Sequence, residues 1–358
     1  MAARLWRLPP LWVRRIVLAP LVVLTAFVWL PTAAWLFVIV AGVVAWALPG
    51  RLRILRVIFM VGLYLLWDAA ALVAMFGLWI ASGFGIWLKR PWFERAHYRL
   101  AGAMLGSLFW AARWLLRLTI EVDDSEGHLN PHGERLIVAS RHAGPADSFI
   151  IVHTLLNRYD REPAIVLKDT LQWDPAIDVL LNRLPTRFVT PHREKRPGKP
   201  SGAEAIGDLA AGLDTNDALL IFPEGGNVTP RRRLRRISQL RDAGRHELAE
   251  RAEAMTNVMA PHSGGLLTAV AAAPDAEIIM LAHTGLDRLE TVGDIWRELP
   301  VDKRIVLKSW TASPAPTDGA DAWLFGWWER LDRWVGENQA AASGGSAETG
   351  QANSALTD

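Results

Sequence analysis

Apolar and polar positions are unevenly distributed along this 358-residue chain. Up to about position 120 the apolar runs are almost unbroken; from Glu121 onward short apolar runs alternate with segments of helical spacing. In the first region Ile16–Leu30 and Thr32–Leu48 read as two limbs about Pro31, each shorter than the roughly 20 residues of an upright span. Arg14 and Arg15 precede the pair, and Arg51, Arg53 and Arg56 follow it. Basic residues at both ends predict a hairpin with both ends on the cytoplasmic side, either spanning or dipping into one leaflet. Trp-Leu-Pro at 29–31 is a poor cleavage site, so the segment reads as retained rather than as a signal peptide. The next run, Val57–Leu88, is too long for one span; it contains Asp68, a Ser-Gly-Phe-Gly break at 82–85, and then Lys89-Arg90. Asp68 inside lipid would be a functional hint; the alternative places it at a turn or against the following domain.

Trp92–Leu118 has the pattern of an amphipathic helix with Arg95, Arg99, Arg113 and Arg117, suited to lying along a membrane surface. Beyond it, Arg135–Ser140, Pro163–Lys168, Thr186–Thr190, Ala218–Glu224, Glu277–His283 and Arg304–Trp310 are strand-like. Asp147–Tyr159, Pro175–Leu184, Gly202–Leu213, Leu234–Met255 and Gly264–Ala273 have helical spacing. This alternation predicts an α/β domain on a parallel or mixed sheet, with function on the loops leaving the strand ends. A closing helix, Asp321–Val335, carries Trp323, Trp327, Trp328 and Trp334 and is placed to return to the membrane. After Gly336 the tail lacks apolar periodicity and reads as disordered. The predicted organisation is membrane-embedded or anchoring helices over 1–90, an α/β domain over 91–335, and a tail over 336–358.

Charge sharpens this division. Before position 121 there are 13 Lys/Arg and only Asp68 and Glu94 as acids, giving +11 and leaving −9 for the rest of a chain whose total is +2. A basic, apolar N-terminal region suits an anionic bilayer, where each basic residue contributes about 1 kcal/mol. Eleven of the 18 tryptophans lie in the same region, many at the ends of apolar runs, where indoles favour the lipid–water boundary. The partners predicted are therefore membrane lipids and not nucleic acid, with the soluble domain at the cytoplasmic face of the cell membrane. The chain has no cysteine, which excludes disulfides, thiolate metal sites and a Cys nucleophile.

Candidate chemistry sits where two strands end. In "VASRHAGPADSF" (Val138–Phe149), His142 and Asp147 are separated by Ala-Gly-Pro-Ala, through which no helix runs. A bend there can fold Asp147 back onto His142, fixing the imidazole tautomer and leaving one nitrogen free to take a proton. Alternatively, Asp147 N-caps the helix "SFIIVHTLL" and His142 is a surface loop residue; the two readings are compatible. In "LLIFPEGGNVTP" (Leu219–Pro230), a buried strand runs into Phe222, Pro223, Glu224, Gly225, Gly226 and Asn227. There the glycines permit close approach of a ligand or another backbone.

Together these stretches resemble the glycerolipid acyltransferase family typified by 1-acyl-glycerol-3-phosphate acyltransferase, which carries a His-x4-Asp motif and then Phe-Pro-Glu-Gly-Thr-Arg about 80 residues on. His142–Asp147 matches the first, and Phe222–Gly225 matches the first four residues of the second. "IVLKDTLQWDP" with Lys168 resembles the intervening segment, and "NVMAPHSGGL" resembles a Pro-Arg-x-x-Gly stretch. The resemblance covers roughly Trp92 to Trp310. It implies a mixed α/β sheet flanked by helices and direct acyl transfer from acyl-CoA or acyl carrier protein to a lysophospholipid hydroxyl. His142 would be the general base, Asp147 its partner, and Lys168 with Phe222–Asn227 the acceptor site. No metal, cofactor or acyl-enzyme is implied, and no Gly-x-Ser-x-Gly elbow is present.

The departures bear on the acceptor. Gly226 and Asn227 stand where the family has Thr-Arg, Phe188-Val189-Thr190-Pro191 lacks the family's Arg although Arg193 is near, and His262 replaces the Arg of Pro-Arg-x-x-Gly. Lys168 and Arg231, or a neighbour among the five arginines of "TPRRRLRR", are the candidates for binding an anionic head group in a displaced position. The alternative is a solvated or lipid-facing basic face. A non-phosphorylated or glycolipid acceptor, a catalytically idle lipid-binding member and a hydrolase are the rival functions. His283, at the end of "EIIMLAH", reads as a satisfied core or loop histidine, although it could point into the site. Glu224 reads as a substrate ligand or a brace for its loop, not as a proton-transfer group. No HExxH-like pair occurs, so no metal is predicted.

Overall fold

The computed structural model describes residues 8–47, 53–116, 118–126, 129, 133–144, 146–189, 202–285, 304–316 and 318–352. The chain divides into two compact units, one made of residues 1–115 and 166–199, the other of 116–165 and 200–358. The division expected near residue 90 thus falls inside the first unit.

In the first unit a π-helical stretch, Val13–Leu18, leads into helix α1 (Ala19–Ala47), followed by α2 (Arg53–Ala81) and α3 (Pro91–Leu116). Helix α1 runs unbroken through Pro31, so the expected hairpin about that residue is replaced by α1 packed against α2. Thr32 Oγ1 donates to Val28 O at 2.8 Å, the i−4 bond a threonine makes within a helix. The helices approach closely where Trp29 lies over Gly62: a Cβ at Gly62 would fall 2.3 Å from the indole nitrogen. With α1 ~43 Å long, Arg14 and Arg15 stand at the opposite end from the start of α2. Arg14 is also buried on Asp178, to which it donates, instead of facing lipid; a buried carboxylate needs such a partner. Arg51, Arg117, Thr190, Pro191 and Arg193 lie outside the described residues.

Helix α2 ends where the Ser-Gly-Phe-Gly pattern predicts, with Gly83, Phe84 and Gly85 all in the left-handed region. Asp68 is buried and accepts from the backbone N–H of Ala176 at 3.2 Å, at the first turn of α5 (Pro175–Leu181). A carboxylate there meets the positive end of the helix dipole, so Asp68 has a structural role. Leu72 and Met75 of α2, Met104 of α3, and Ala176 and Val179 of α5 form one apolar cluster, which is why α3 belongs with the N-terminal helices. Within α2, Val61–Ala81 is long and apolar enough to cross a membrane.

The second unit is built on strands β1 (Thr119–Glu126), β2 (Leu136–Ser140), β3 (Glu162–Lys168), β5 (Asp217–Ile221), β6 (Glu277–Thr284) and β7 (Arg304–Thr311), in the order β1-β7-β6-β2-β5-β3. Strand β3 runs across the division between the units, and β4 (Thr186–Val189) follows it in the strand order. All described pairings in this unit are parallel except β6–β7, so the sheet is mixed. "LIVAS" and "DALLI" are buried at every position, as expected of strands covered on both faces. The covering helices include α4 (Asp147–Arg158), α6 (Gly202–Ala211), α9 (Ser263–Ala272) and α10 (Ala320–Ala352). The helical stretch predicted over Leu234–Met255 is two helices, α7 (Pro230–Asp242) and α8 (His246–Ala254), parted at Gly244 with φ +73°.

Helix α10 continues to Ala352, past the Val335 at which the pattern ended it. Extending a formed helix through an alanine-rich stretch requires no new nucleus. Of its tryptophans, Trp328 and Trp334 pack within this unit. Trp328 is fully buried, Trp334 packs edge-on against Trp310, and Asp332 accepts the backbone N–H groups of Asn257 and Val258.

Candidate active site

Strand register assembles the site. Ala139 of β2 pairs with Ile221 of β5, and Ser140 pairs with Leu281 of β6, all parallel. The carboxyl ends of β2 and β5 therefore stop level with Leu281 of the longer β6, and Arg141-His142 and Phe222–Glu224 emerge beside Ala282-His283 of that strand. In an open α/β sheet this is the edge at which ligands bind.

His142 Nδ1 lies 3.1 Å from Asp147 Oδ1 and 3.0 Å from Oδ2. Asp147 is the first residue of α4 rather than its N-cap, which is Ala146. Its carboxylate also accepts from the backbone N–H groups of Gly144 at 3.0 Å and Ser148 at 2.8 Å. The two sequence readings of Asp147 thus merge, because one carboxylate fastens the helix start and orients the imidazole. Burial pushes the Asp147 carboxyl up, but hydrogen bonds from His142 and His283 outweigh it and hold the group well below the usual carboxylate range. With Nδ1 donating to an ionised Asp147, the lone pair of neutral His142 sits on Nε2, the position of a general base. The Phe222 ring stacks on the imidazole at 4.5 Å between centroids.

The two motif loops are joined through their backbones. His142 N donates to Glu224 Oε2 at 3.3 Å, and Val228 N donates to His142 O at 3.0 Å. Glu224 is 1% exposed, and its Oε1 accepts from Trp328 Nε1 at 3.1 Å. Burial pushes its carboxyl up to about 8, against the pull of Arg141 and of the Trp328, His142 and Met259 N–H donors. In this geometry Glu224 braces the loop. Pro223 O accepts from His262 N at 2.9 Å, which ties the start of α9 to the same loop.

Gly225 and Gly226 have φ of +69° and +146°, conformations that favour glycine. A Cβ on Gly226 would also fall 2.2 Å from Arg232 Nη1. Arg232 donates to Gly225 O at 3.0 Å and Asn227 O at 3.2 Å. The cation that reaches the loop is therefore Arg232. Arg233 and Arg236 also donate to backbone carbonyls of this unit, among them Met255 O and Pro261 O. Much of the basic run is thus tied into the fold rather than presented as one solvated face. Lys168 is exposed at the end of β3 and falls within residues 166–199 of the other unit.

Two contributors, Arg141 and Trp328, escaped the sequence reading, and for His283 the alternative of pointing into the site is the one the geometry favours. His283 Nε2 lies 3.4 Å from Asp147 Oδ2, so this histidine reaches the site instead of being a bystander in the core. Arg141 is buried and donates to His283 O at 2.6 Å and Asn257 O at 3.1 Å. Trp328 reaches Glu224 from a helix about 100 residues further along the chain. Among the described residues no group of three or more His, Asp or Glu is arranged to hold a metal ion.

Residues 119–283 match the family model described as Acyltransferase. No curated protein matches the sequence. Among solved structures, the chain is similar to the crystal structure of the 1-acyl-sn-glycerophosphate (LPA) acyltransferase PlsC from Thermotoga maritima. The two share 15% identity with a TM-score of 0.44, over 91% of this chain and 98% of that one.

Proposed function

We propose, from the premise that residues 119–283 belong to the acyltransferase family and that the chain is an acyltransferase, that it acylates a lysophospholipid-like hydroxyl at a membrane. The observation that carries this reading is the His142–Asp147 pair, with Nδ1 committed to the carboxylate and Nε2 left to act. His142 Nε2 takes the proton of the acceptor hydroxyl as its oxygen attacks the thioester carbonyl of acyl-CoA or acyl carrier protein. The tetrahedral adduct collapses, the C–S bond breaks, and the imidazolium returns its proton to the departing thiolate. Asp147 offsets the imidazolium charge between these steps. General-base assistance of this kind is worth about 10²–10⁴-fold, and the scheme forms no acyl-enzyme.

A membrane setting is supported by where apolar side chains are left uncovered. Phe27, Phe76, Phe84, Ile86, Trp92, Trp110 and Trp114 are all exposed in the first unit, whereas among the described residues of the second unit only Phe149 and Leu234 are exposed large apolar side chains. Arg95, Arg99 and Arg113 are exposed on α3 along with its three tryptophans, a composition that suits a bilayer surface. The lysolipid acceptor and its product both reside in the bilayer, and the acyl donor is supplied from the cytoplasm. The Phe222–Asn227 loop is the acceptor-side candidate. One observation favours an acceptor without phosphate: Asn227 is uncharged, and Arg232 directs its guanidinium at two loop carbonyls.

The test is thiol release from long-chain acyl-CoA or acyl carrier protein by the full chain in mixed micelles, against phosphorylated and unphosphorylated lysolipids. Acceptor-dependent release that His142→Ala abolishes supports transfer, and the panel identifies the head group. Release without acceptor dependence would mean a thioesterase. No release with any donor and acceptor would leave a lipid-binding role.

A further inference from the structure

Asp147 faces two imidazoles, and the transfer scheme uses one. His283 Nε2 lies 3.4 Å from Asp147 Oδ2 and 3.3 Å from the carbonyl oxygen of Arg141. The ring is 1% exposed, and its Nδ1 is buried with no hydrogen-bond partner among the described residues. A proton on Nε2 serves both oxygens, whereas a proton on Nδ1 would be buried without an acceptor. The network therefore assigns a neutral ring protonated at Nε2. Asp147 then receives four donors, from Gly144, Ser148, His142 and His283, which fills the roughly four lone-pair positions of a carboxylate.

The second imidazole is held on a rigid mount. His283 lies in β6, between β2 and β7. Arg141 N donates to Leu281 O at 3.2 Å, and the Arg141 guanidinium donates to His283 O at 2.6 Å. The His283 ring in turn addresses Arg141 O, so the residue before the proposed base and the second imidazole hold each other in place.

We propose that His283 is a positioning residue that sets the basicity of His142 through Asp147. Its Nε2–H keeps the carboxylate ionised, fixes Oδ2 toward His142 and draws off part of the charge that His142 would otherwise feel. The other ionisable groups around the pair are Arg141 after β2, Glu224 after β5 and His262 before α9. Glu224 meets His142 through the backbone N–H rather than the ring, Arg141 acts on Glu224 and on backbone carbonyls, and His262 lies against Gly225. Among the described residues, His283 and His142 are the ionisable side chains that touch the Asp147 carboxylate.

The proposal rests on the acyl-transfer reading for its rate measurement only. His283→Leu keeps the bulk and removes the donor, so the full carboxylate charge falls on His142, which then holds its proton to higher pH. The acid limb of the kcat/KM profile moves up by about 0.5–1 pH unit, a three- to tenfold loss of rate on that limb. His283→Gln returns an N–H to the Nε2 position and brings the limb back. A role in packing alone would lower kcat or Tm in both variants and leave the limb in place. The proposal is overturned by an unmoved or downward-shifted limb in His283→Leu, or by His283→Gln shifting as far as His283→Leu. Should His283→Leu not fold, ¹⁵N-histidine NMR of the wild-type protein in micelles decides. A neutral His283 protonated at Nε2 between pH 6 and 8 supports the proposal, and a proton on Nδ1 or a charged ring overturns it. A wild type that neither transfers acyl groups nor releases thiol would sink the acyl-transfer reading, while the NMR result would still test the histidine.

Discussion

Glu224→Gln should remove a pH dependence of stability that the wild-type protein carries. The carboxyl is buried beneath the His142 loop, with Trp328 Nε1 on one oxygen and His142 N on the other. Burial lifts it from 4.5 to about 8, with Arg141 and the N–H donors opposing. An acid whose native value lies above its unfolded one binds its proton more tightly when folded. It therefore contributes stability that is fully present below about pH 4.5 and is lost as the pH rises through about 8. Each pH unit is worth about 1.4 kcal/mol, so the full decline is at most about 5 kcal/mol, a large part of the 5–15 kcal/mol typical of a domain. Glutamine does not titrate, but its NH2 confronts one of the two donors, a mismatch of about 1–3 kcal/mol. The variant should be the less stable protein at pH 5 and should gain on the wild type towards pH 8.5. Asp147 acts in the opposite sense, since its lowered value means stability lost as pH falls through the acid range, below this window. Denaturant unfolding of the full chain in micelles, followed by tryptophan fluorescence from pH 5 to 8.5, measures both slopes. A wild type whose stability rises across that range, or a variant with the wild-type slope, would refute the reasoning.

Asp147→Asn keeps the shape of the pair but cannot hold the His142 tautomer, and kcat/KM should fall about 10²–10⁴-fold in the thiol-release assay; a loss below tenfold would remove Asp147 from the mechanism. Gly226→Ala forces a side chain at φ +146° into the Arg232 guanidinium, so it should cost about 1–3 kcal/mol and raise the KM for the acceptor. Adding Arg232→Ala should relieve the steric part of that cost, and a double variant no more stable than Gly226→Ala would show that the contact is not limiting. Asp174→Ala removes the N-cap of α5, whose carboxylate accepts from Ile177 N at 2.9 Å and from Tyr64; it should lower stability by about 0.5–2 kcal/mol in urea titration, with little effect on kcat.

Strands β2, β3, β5, β6 and β7 could be read from the sequence because each is a short apolar run between turn-forming residues. Strand β1, "TIEVDDSE", could not. It lies at the sheet edge, where its acids pair with the basic side chains of β7 and α10: Glu121 with Arg304, Asp123 with Lys308, and Glu126 with Lys308 and Arg330. Charge is how an edge strand avoids pairing with other chains, and it is also what erases the alternation by which a strand is recognised. Pro31 misled in the opposite direction. Local propensity marks it as a break, but the packing of α1 on α2 accompanies an unbroken helix.

The legibility of the site divides by the same physics. His142–Asp147 and Phe222–Asn227 stand out because each places polar and turn residues where a buried strand stops, a local event that one stretch of sequence records. His283 ends a buried strand in the same way, yet its importance depends on β6 being the neighbour of β2 and on Ser140 being level with Leu281. Neighbour choice and register are properties of pairs of strands distant in sequence, and no pattern within "EIIMLAH" encodes them. Arg232 and Arg231 show the same limit at shorter range. Both belong to one basic run, but the helix that starts at Pro230 turns Arg232 back over Gly226. The missing Cβ of Gly226 was visible in the sequence, and the guanidinium that needs its absence was not. Sequence therefore identifies the residues that can do proton chemistry, while strand order and helix phase select which of their neighbours tune it.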